Sequence, residues 1–169
     1  MSHYKGSERV LEEPAYSTKV GDTVTIKPQA LDIIWGKDNR YWRVTQDEAE
    51  LLQVCWLEVT GSYPFNRLTK GATYKVTFNV KTKPDAFGWS DSPVYLMVKV
   101  DGKYTWKKAD LSQLKNNMET NIPAGTTLTF TVPANAKDQD NLTFGLYEIW
   151  RGRWKGGLVI KHVTIERSN

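Results

Sequence analysis

The most constraining feature of this sequence is a series of short segments in which apolar and polar residues alternate. Between residues 73 and 80, Tyr74, Val76, Phe78 and Val80 alternate with threonine, lysine and asparagine. A period of two places the apolar side chains on one face of a β-strand and the polar ones on the other. No stretch of about 10 to 15 residues repeats with the helical period. The sequence therefore predicts an all-β fold.

Turn residues between these segments predict where the strands end. Asp101-Gly102 is a two-residue hairpin signal that joins a strand over Pro93 to Val100 to one over Tyr104 to Lys107. Short helical turns are expected over 47–52 and 110–115, and a loop follows to Gly125. The other strands are predicted at 23–27, 31–35, 41–44, 54–59, 73–80, 126–132, 142–150 and 158–166. We expect a β-sandwich of about eight to ten mostly antiparallel strands.

Length and polarity predict one domain with an N-terminal extension. The 169 residues are enough for one sizeable core but few for two. Residues 1–20 are polar and show no periodicity, so we expect a flexible extension there and the sandwich domain over 21–169. Neither a signal peptide nor a membrane span is expected. The single cysteine, Cys55, excludes an intrachain disulfide and favours a reducing, cytoplasmic compartment.

The inventory of catalytic groups is small. The two histidines are His3 in the extension and His162 near the end of a strand, and Cys55 lies in an apolar segment where thiols are usually inert. No residues have metal-ligand spacing, no phosphate-binding glycine loop is present, and no cofactor is expected. Glu58 and Glu148 interrupt apolar strands, so each either forms a salt bridge on an exposed strand face or binds something polar. A glycosidase needs only two such carboxylates, so that alternative stays open.

The charge pattern does not indicate a nucleic-acid surface. The net charge is +4, from 23 basic and 19 acidic side chains. These charges are interspersed along the chain rather than grouped into a basic stripe. Solvated surface is therefore the preferred interpretation of the basic residues.

The seven tryptophans and eight tyrosines are a more specific signal. Trp35, Tyr41 and Trp42 bracket a turn whose residues 37–40 are all polar. A pyranose offers a face of C–H bonds that stacks on an aromatic ring and a rim of hydroxyls that forms hydrogen bonds. The segments around Trp89 and from Trp150 to Trp154 repeat this combination. Each of these rings could instead fill the core beside a turn.

Several segments resemble one family of plant proteins. They are Ile34-Trp35, Tyr41-Trp42, residues 52–59, Ala86-Phe87-Gly88-Trp89, residues 144–150 and residues 154–158. Together, and in this order from about residue 28 to 166, they resemble the phloem protein two lectins, the Nictaba-like family. The resemblance implies a lectin that binds N-acetylglucosamine oligomers and the N-glycans of glycoproteins, defends the plant, forms a homodimer and resides in the cytoplasm or phloem sap.

The resemblance also implies particular residues. The two tryptophans implicated in sugar binding in this family fall on Trp35 and Trp42, and its binding glutamate falls on Glu148. The family's lysine-rich nuclear-import segment has no counterpart between Lys81 and Lys115, and no F-box domain is present. Together with the loop aromatics, the candidate carbohydrate-binding residues are Trp35, Tyr41, Trp42, Trp89, Glu148 and Trp154.

The sequence thus supports a non-catalytic carbohydrate-binding lectin and leaves two alternatives. One is a glycoside hydrolase acting on chitin-like chains through unassigned carboxylates. The other is an RNA-binding phloem transport protein, suggested by the basic charge and the phloem association.

Overall fold

The computed structural model describes residue 14 and residues 16–168. The described chain is all-β, with thirteen strands in two antiparallel sheets and only single 3-10 turns besides, which confirms the predicted fold class. The strands are β1 (Ser17–Val20), β2 (Thr23–Ile26), β3 (Asp32–Ile33), β4 (Trp42–Val44), β5 (Ala49–Leu51), β6 (Leu57–Pro64), β7 (Thr73–Phe87), β8 (Val94–Val100), β9 (Lys103–Ala109), β10 (Thr120–Ile122), β11 (Thr129–Thr131), β12 (Asn141–Glu148) and β13 (Gly156–Arg167). The 3-10 turns are Pro28–Ala30, Phe65–Arg67 and Leu111–Gln113.

The first sheet is organised around β13. One edge of β13 pairs with β7 along most of its length, and the other edge pairs first with β5 and then with β2. Strand β1 extends the sheet beyond β2, β4 extends it beyond β5, and β10 and β11 pair with β7. The second sheet has the order β3-β6-β12-β8-β9.

The inner faces of the two sheets pack against each other. Phe78 of β7 contacts Phe144 of β12 edge to face, with ring centroids 6.1 Å apart. Leu96, Leu146 and Val163 are fully buried around them. Each such side chain contributes about 1.5–3 kcal/mol relative to an exposed one. This alternation of inward apolar and outward polar residues is what the sequence predicted, and it makes the fold a β-sandwich.

The predicted hairpin at Asp101-Gly102 is confirmed. Both residues have positive φ angles, 53° and 77°, as a type I′ turn requires. The turn sets the register of β8 and β9, with Val100 opposite Lys103 and Met97 opposite Trp106. Outward residues of the two strands therefore lie side by side on one face of the second sheet.

Three local predictions are wrong. The helical turn expected over 47–52 is largely strand β5, because its residues are buried between β4 and β13 and pair with both. The strand expected over 31–35 is only the short β3, since Trp35 adopts a left-handed φ of 65° and turns the chain. The expected loop before Gly125 contains β10, which pairs with β7.

The first sheet also begins earlier than the predicted domain boundary at residue 21. Strand β1 pairs with β2 in register over its four residues, so this part of the expected N-terminal extension belongs to the sheet. The rest of that prediction, residues 1–13 and 15, lies outside the described residues. No helix in the described chain is long and apolar enough to cross a membrane.

Candidate functional site

Three of the predicted site residues lie together at one end of the sandwich. Tyr41 contacts Trp35, with ring centroids 5.0 Å apart, and Trp154, with centroids 6.5 Å apart and planes inclined by 25°. Trp35 and Trp154 are 46% and 50% exposed, whereas Tyr41 is half-buried between them. We call Trp35, Tyr41 and Trp154 the loop cluster. It joins a loop after β3 to the loop of residues 149–155, which connects β12 of the second sheet to β13 of the first.

The loop that carries Trp35 and Tyr41 is held by its own hydrogen bonds. The Asp38 backbone N–H donates to the carbonyl of Trp35, and the Tyr41 N–H donates to the carbonyl of Asp38. The Asp38 carboxylate accepts bonds from the Arg40 guanidinium and backbone, which lower its pKa to about 2. The Arg40 guanidinium also lies 5.1 Å from the Tyr41 ring centroid. Polar groups and exposed rings thus share this loop, which borders an open depression of about 870 Å³.

Trp42 and Trp89 lie beneath this surface. Trp42 is 1% exposed and packs in the core, and its indole N–H has no hydrogen-bond partner among the described residues. Trp89 is 4% exposed and donates its indole N–H to the carbonyl of Gly156, 3.0 Å away. The structure therefore does not bring these two rings to the loop surface, and direct sugar contact by either stays a prediction.

Glu148 also lies in the interior, at the end of β12. Its Oε1 is 3.1 Å from Nζ of Lys155, and the two side chains are 1% and 0% exposed. Oε2 accepts the backbone N–H groups of Trp150 and Arg151, at 3.2 and 3.3 Å. Lys155 Nζ donates to the carbonyl of Arg153 at 2.7 Å. The sequence led us to expect either a surface salt bridge or a polar ligand, and the structure instead places Glu148 in a buried ion pair.

The ion pair closes the loop of residues 149–155, because both partners bond to backbone groups within it. This loop carries Trp154 of the loop cluster. Lys155 was not predicted as a functional residue, although it lies in the 154–158 segment that carries the family resemblance, because the sequence alone does not show that its side chain is buried. Its significance comes from the pairing of Val54 with Lys155 through two backbone hydrogen bonds, at 2.9 and 2.8 Å, which draws the lysine inward.

The turn at residues 88–90 packs against the loop of residues 149–155. Gly88 has a φ of 87°, and a Cβ atom there would clash with the carbonyl of Trp154 and lie 2.7 Å from Cα of Lys155. Only glycine allows this close approach without strain. The Arg153 guanidinium donates to the carbonyl of Ser90 at 2.9 Å, on the same turn. The position of Trp154 is therefore fixed by backbone contacts on two sides.

The two acids considered for catalysis do not face each other. Glu58 lies opposite Tyr147 in the second sheet, and Glu148 lies opposite Leu57, one residue along. Neighbouring residues of a strand point to opposite faces, so Glu58 is on the outer face and Glu148 is in the core. Glu58 accepts a hydrogen bond from the Trp56 indole at 2.9 Å. These two acids therefore do not form the pair of carboxylates that flanks a glycosidic bond.

The remaining histidine, cysteine and acidic residues were considered as a possible metal site or catalytic centre within the described residues. In the described part of the chain, no group of three or more histidine, cysteine, aspartate or glutamate residues could hold a metal ion. Burial lowers the pKa of His162 below its usual value. Cys55 is a free, partly buried thiol.

In this structure, exposed aromatic rings lie beside hydrogen-bonding groups on the loops of a β-sandwich. This arrangement is typical of small binding proteins. The chain belongs to the phloem protein 2 family, whose model matches residues 21–167. The predicted family resemblance is thereby confirmed.

Comparison with individual proteins agrees with this membership. The chain is 36% identical to the phloem protein 2-like A9 protein of Arabidopsis thaliana, over 98% of this chain and 96% of that protein. It is 35% identical to the A1 protein of the same plant, over 80% of this chain and 57% of that protein. A protein of Luffa acutangula named lectin is 37% identical over 65 residues, or 34% of this chain and 31% of that protein. A Podospora anserina GH26-CBM35 β-(1,4)-mannanase structure matches 88% of this chain and 28% of that chain, with a TM-score of 0.46 and 9% identity.

Proposed function

We propose that this protein is a non-catalytic lectin that binds N-acetylglucosamine oligomers and N-glycan cores at the loop cluster. The observation that carries the proposal is the contact of Tyr41 with both Trp35 and Trp154, which are each about half exposed. A similar protein of Luffa acutangula is named a lectin, and family membership extends over nearly the whole described chain.

The chemistry of the cluster suits a pyranose. Indole and phenol rings stack on the C–H face of a sugar at little entropic cost, because their packing already limits ring rotation. The hydroxyl and N-acetyl groups at the rim of the sugar need hydrogen-bond partners, and Lys37, Asp38 and Asn39 border the same depression as Trp35. With its pKa near 2, Asp38 is an acceptor at every physiological pH.

In this proposal the predicted site residues have two different roles. Trp35, Tyr41 and Trp154 contact the sugar. Trp42, Trp89 and Glu148 are positioning residues, because each is at least 96% buried and supports a strand or loop that carries an exposed ring. Direct contact by Trp42 or Glu148 is the competing arrangement, and it requires the site to open.

The proposal is tested by titrating chitotriose into variants of the cluster. Trp154→Ala and Tyr41→Ala each remove a stacking surface and are expected to weaken binding about tenfold to a hundredfold, or about 1–3 kcal/mol. The matched control is Tyr16→Ala, which removes a tyrosine that is 57% exposed beside β1, at an edge of the first sheet. Unchanged affinity in the cluster variants would contradict the assignment.

Parallel measurements separate the alternatives. Release of shorter oligomers during long incubation would indicate the glycoside hydrolase. RNA binding that weakens steeply with salt would indicate the RNA-binding protein. Sugar binding that is insensitive to salt, with the oligomer intact, supports the lectin.

We also propose a homodimer that resides in the cytoplasm or phloem sap. Strands β1 and β9 are edges of their sheets, and unpaired edges favour strand-to-strand association. Two sites in one particle would increase avidity for branched glycans.

A further inference from the structure

A second group of aromatic residues lies on the outer face of the five-stranded sheet. The group spans β8, β9, β12 and the start of the loop of residues 149–155 that follows β12. We call it the outer aromatic face. Its members are Tyr95, Tyr104, Trp106, Tyr147 and Trp150.

The rings of this face contact one another around Trp106. Tyr104 lies nearly parallel to Trp106, with planes inclined by 13° and centroids 6.2 Å apart. Tyr147 is 5.5 Å from Trp106, and Trp150 stands at 74° to it, 6.4 Å away. Tyr104, Trp106 and Trp150 are 54%, 42% and 58% exposed. Tyr104 and Trp106 are thus nearly parallel, Trp150 is nearly perpendicular to Trp106, and all three rings are exposed to solvent.

This arrangement is fixed by the sheet beneath it. Gly145 lies under the Tyr147 ring, since a Cβ atom there would be 2.6 Å from that ring. Met97 lies between Gly145 and Trp106 in the same row of the sheet and is only 2% exposed. The backbone N–H of Trp150 donates a hydrogen bond to the buried carboxylate of Glu148. Rings that are already ordered lose little conformational entropy when a ligand binds.

Polar side chains alternate with the rings across the strands. In one row of the sheet, Glu58, Tyr147, Tyr95 and Lys108 follow one another. In another row, Thr143 and Lys99 precede Tyr104. Hydroxyl, carboxylate and ammonium groups therefore lie within reach of anything stacked on the rings.

We propose that the outer aromatic face is a second carbohydrate-binding surface, suited to an extended glycan chain. Stacking rings interleaved with hydrogen-bonding side chains match the alternating C–H faces and hydroxyl rims of successive sugars. A second protein copy fits less well, because lysine and glutamate are depleted from the cores of protein interfaces, and Lys99, Lys108 and Glu58 lie within the rows.

The inference rests on the proposed carbohydrate-binding function but uses different residues from the loop cluster. Its physical consequence is that one chain engages a long or insoluble glycan at two places. The second contact is then intramolecular, so avidity exceeds the affinity of either site. Trp150 and Trp154 belong to the same loop between β12 and β13, so the two surfaces are continuous along the chain.

The test compares Trp106→Ala and Tyr104→Ala with the control Tyr16→Ala, using chitohexaose and insoluble chitin as probes. In the wild-type protein, calorimetry is expected to give two chitohexaose sites per chain, and Trp106→Ala should leave one. Retention on chitin should fall about tenfold or more. Trp106→Phe should restore part of the loss, and circular dichroism melting confirms that each variant is folded.

Several results would overturn the inference. One site per chain in the wild type, with Trp106→Ala neutral on both probes, rejects the second surface and leaves the loop cluster intact. A change of oligomeric state in Trp106→Ala with unchanged glycan binding assigns the face to protein association instead. If the wild-type protein bound neither probe, the proposed lectin function itself would fail, which differs visibly from loss at one of two sites.

Discussion

Removing one partner of the buried pair between Glu148 and Lys155 should destabilise the protein strongly. In Lys155→Met, the carboxylate keeps only the N–H groups of Trp150 and Arg151. At 3.1 Å and an effective dielectric constant of about 20, the lost attraction is about 5 kcal/mol. Breaking buried pairs typically costs about 3–5 kcal/mol. Either figure is a large part of the roughly 5–15 kcal/mol that stabilises a domain.

The matched variant is Glu148→Gln, which keeps an oxygen for the two backbone N–H groups but leaves the Lys155 ammonium with carbonyl partners only. If the two charges act as a pair, the double variant should lose less stability than the sum of the single losses, by about 1–3 kcal/mol. Urea unfolding of the four proteins measures this coupling. Losses that add within about 0.5 kcal/mol would refute the pairing.

The same variants distinguish positioning from direct sugar contact. We expect chitotriose affinity to fall together with the melting temperature, because Glu148 holds the loop of residues 149–155 in place and does not itself contact the sugar. If Glu148→Gln bound sugar tenfold more weakly at an unchanged melting temperature, Glu148 would have to contact the ligand directly.

Three further predictions concern backbone space, pH and assembly. Gly88→Ala should cost about 1–3 kcal/mol more than Gly102→Ala in urea unfolding, because both have positive φ but only Gly88 faces a clash; equal costs would exclude that contact. Burial lowers the pKa of His162 below 6.5 in the folded protein, so as pH falls the unfolded chain takes up this proton at a higher pH than the folded chain does. The free energy of unfolding should therefore decrease as pH falls below about 6.5, and His162→Gln should lack this decrease. Light scattering at micromolar concentration should give a dimer, and a monomer would rule out the proposed assembly.

The longer strands could be predicted because the period of two survives in the sequence wherever one face is buried. Strand β7 is an example, with Tyr74, Val76 and Phe78 all directed into the core. The three-residue strands β5 and β10 were missed for a physical reason. Their conformation depends on pairing with distant strands rather than on a local alternation of apolar and polar residues.

The loop cluster was predictable only in part. Turn residues around Trp35 and Tyr41 indicated a loop that carries aromatic rings, and the structure has Trp35 exposed and Tyr41 half-buried there. Trp42 immediately follows Tyr41, however, and neighbouring residues of an extended segment point to opposite sides. The sequence could therefore have indicated that one of these two rings is exposed and the other buried, but not which.

The outer aromatic face left a signal that sequence reasoning did not use. The Asp101-Gly102 turn fixes the hairpin register, which places residues whose numbers sum to 203 opposite each other, such as Met97 and Trp106. Outward positions could therefore be matched across the hairpin. The contributions of Tyr147 and Trp150 could not be predicted this way, because β12 joins β8 through a long-range pairing.

Glu148 is a buried acid at a core position of β12 where a leucine could pack. Counting by twos along β12, Phe144, Leu146 and Glu148 all face the core. Replacing the pair by Glu148→Leu with Lys155→Leu should therefore retain stability within about 1–2 kcal/mol, as hydrophobic replacements of buried ion pairs often do. The apolar pair cannot accept the N–H groups of Trp150 and Arg151, so we expect the loop of residues 149–155 to lose its geometry. Chitotriose and chitin binding should then both weaken at least tenfold in a protein that still unfolds cooperatively, whereas unchanged binding would show that packing alone positions the rings.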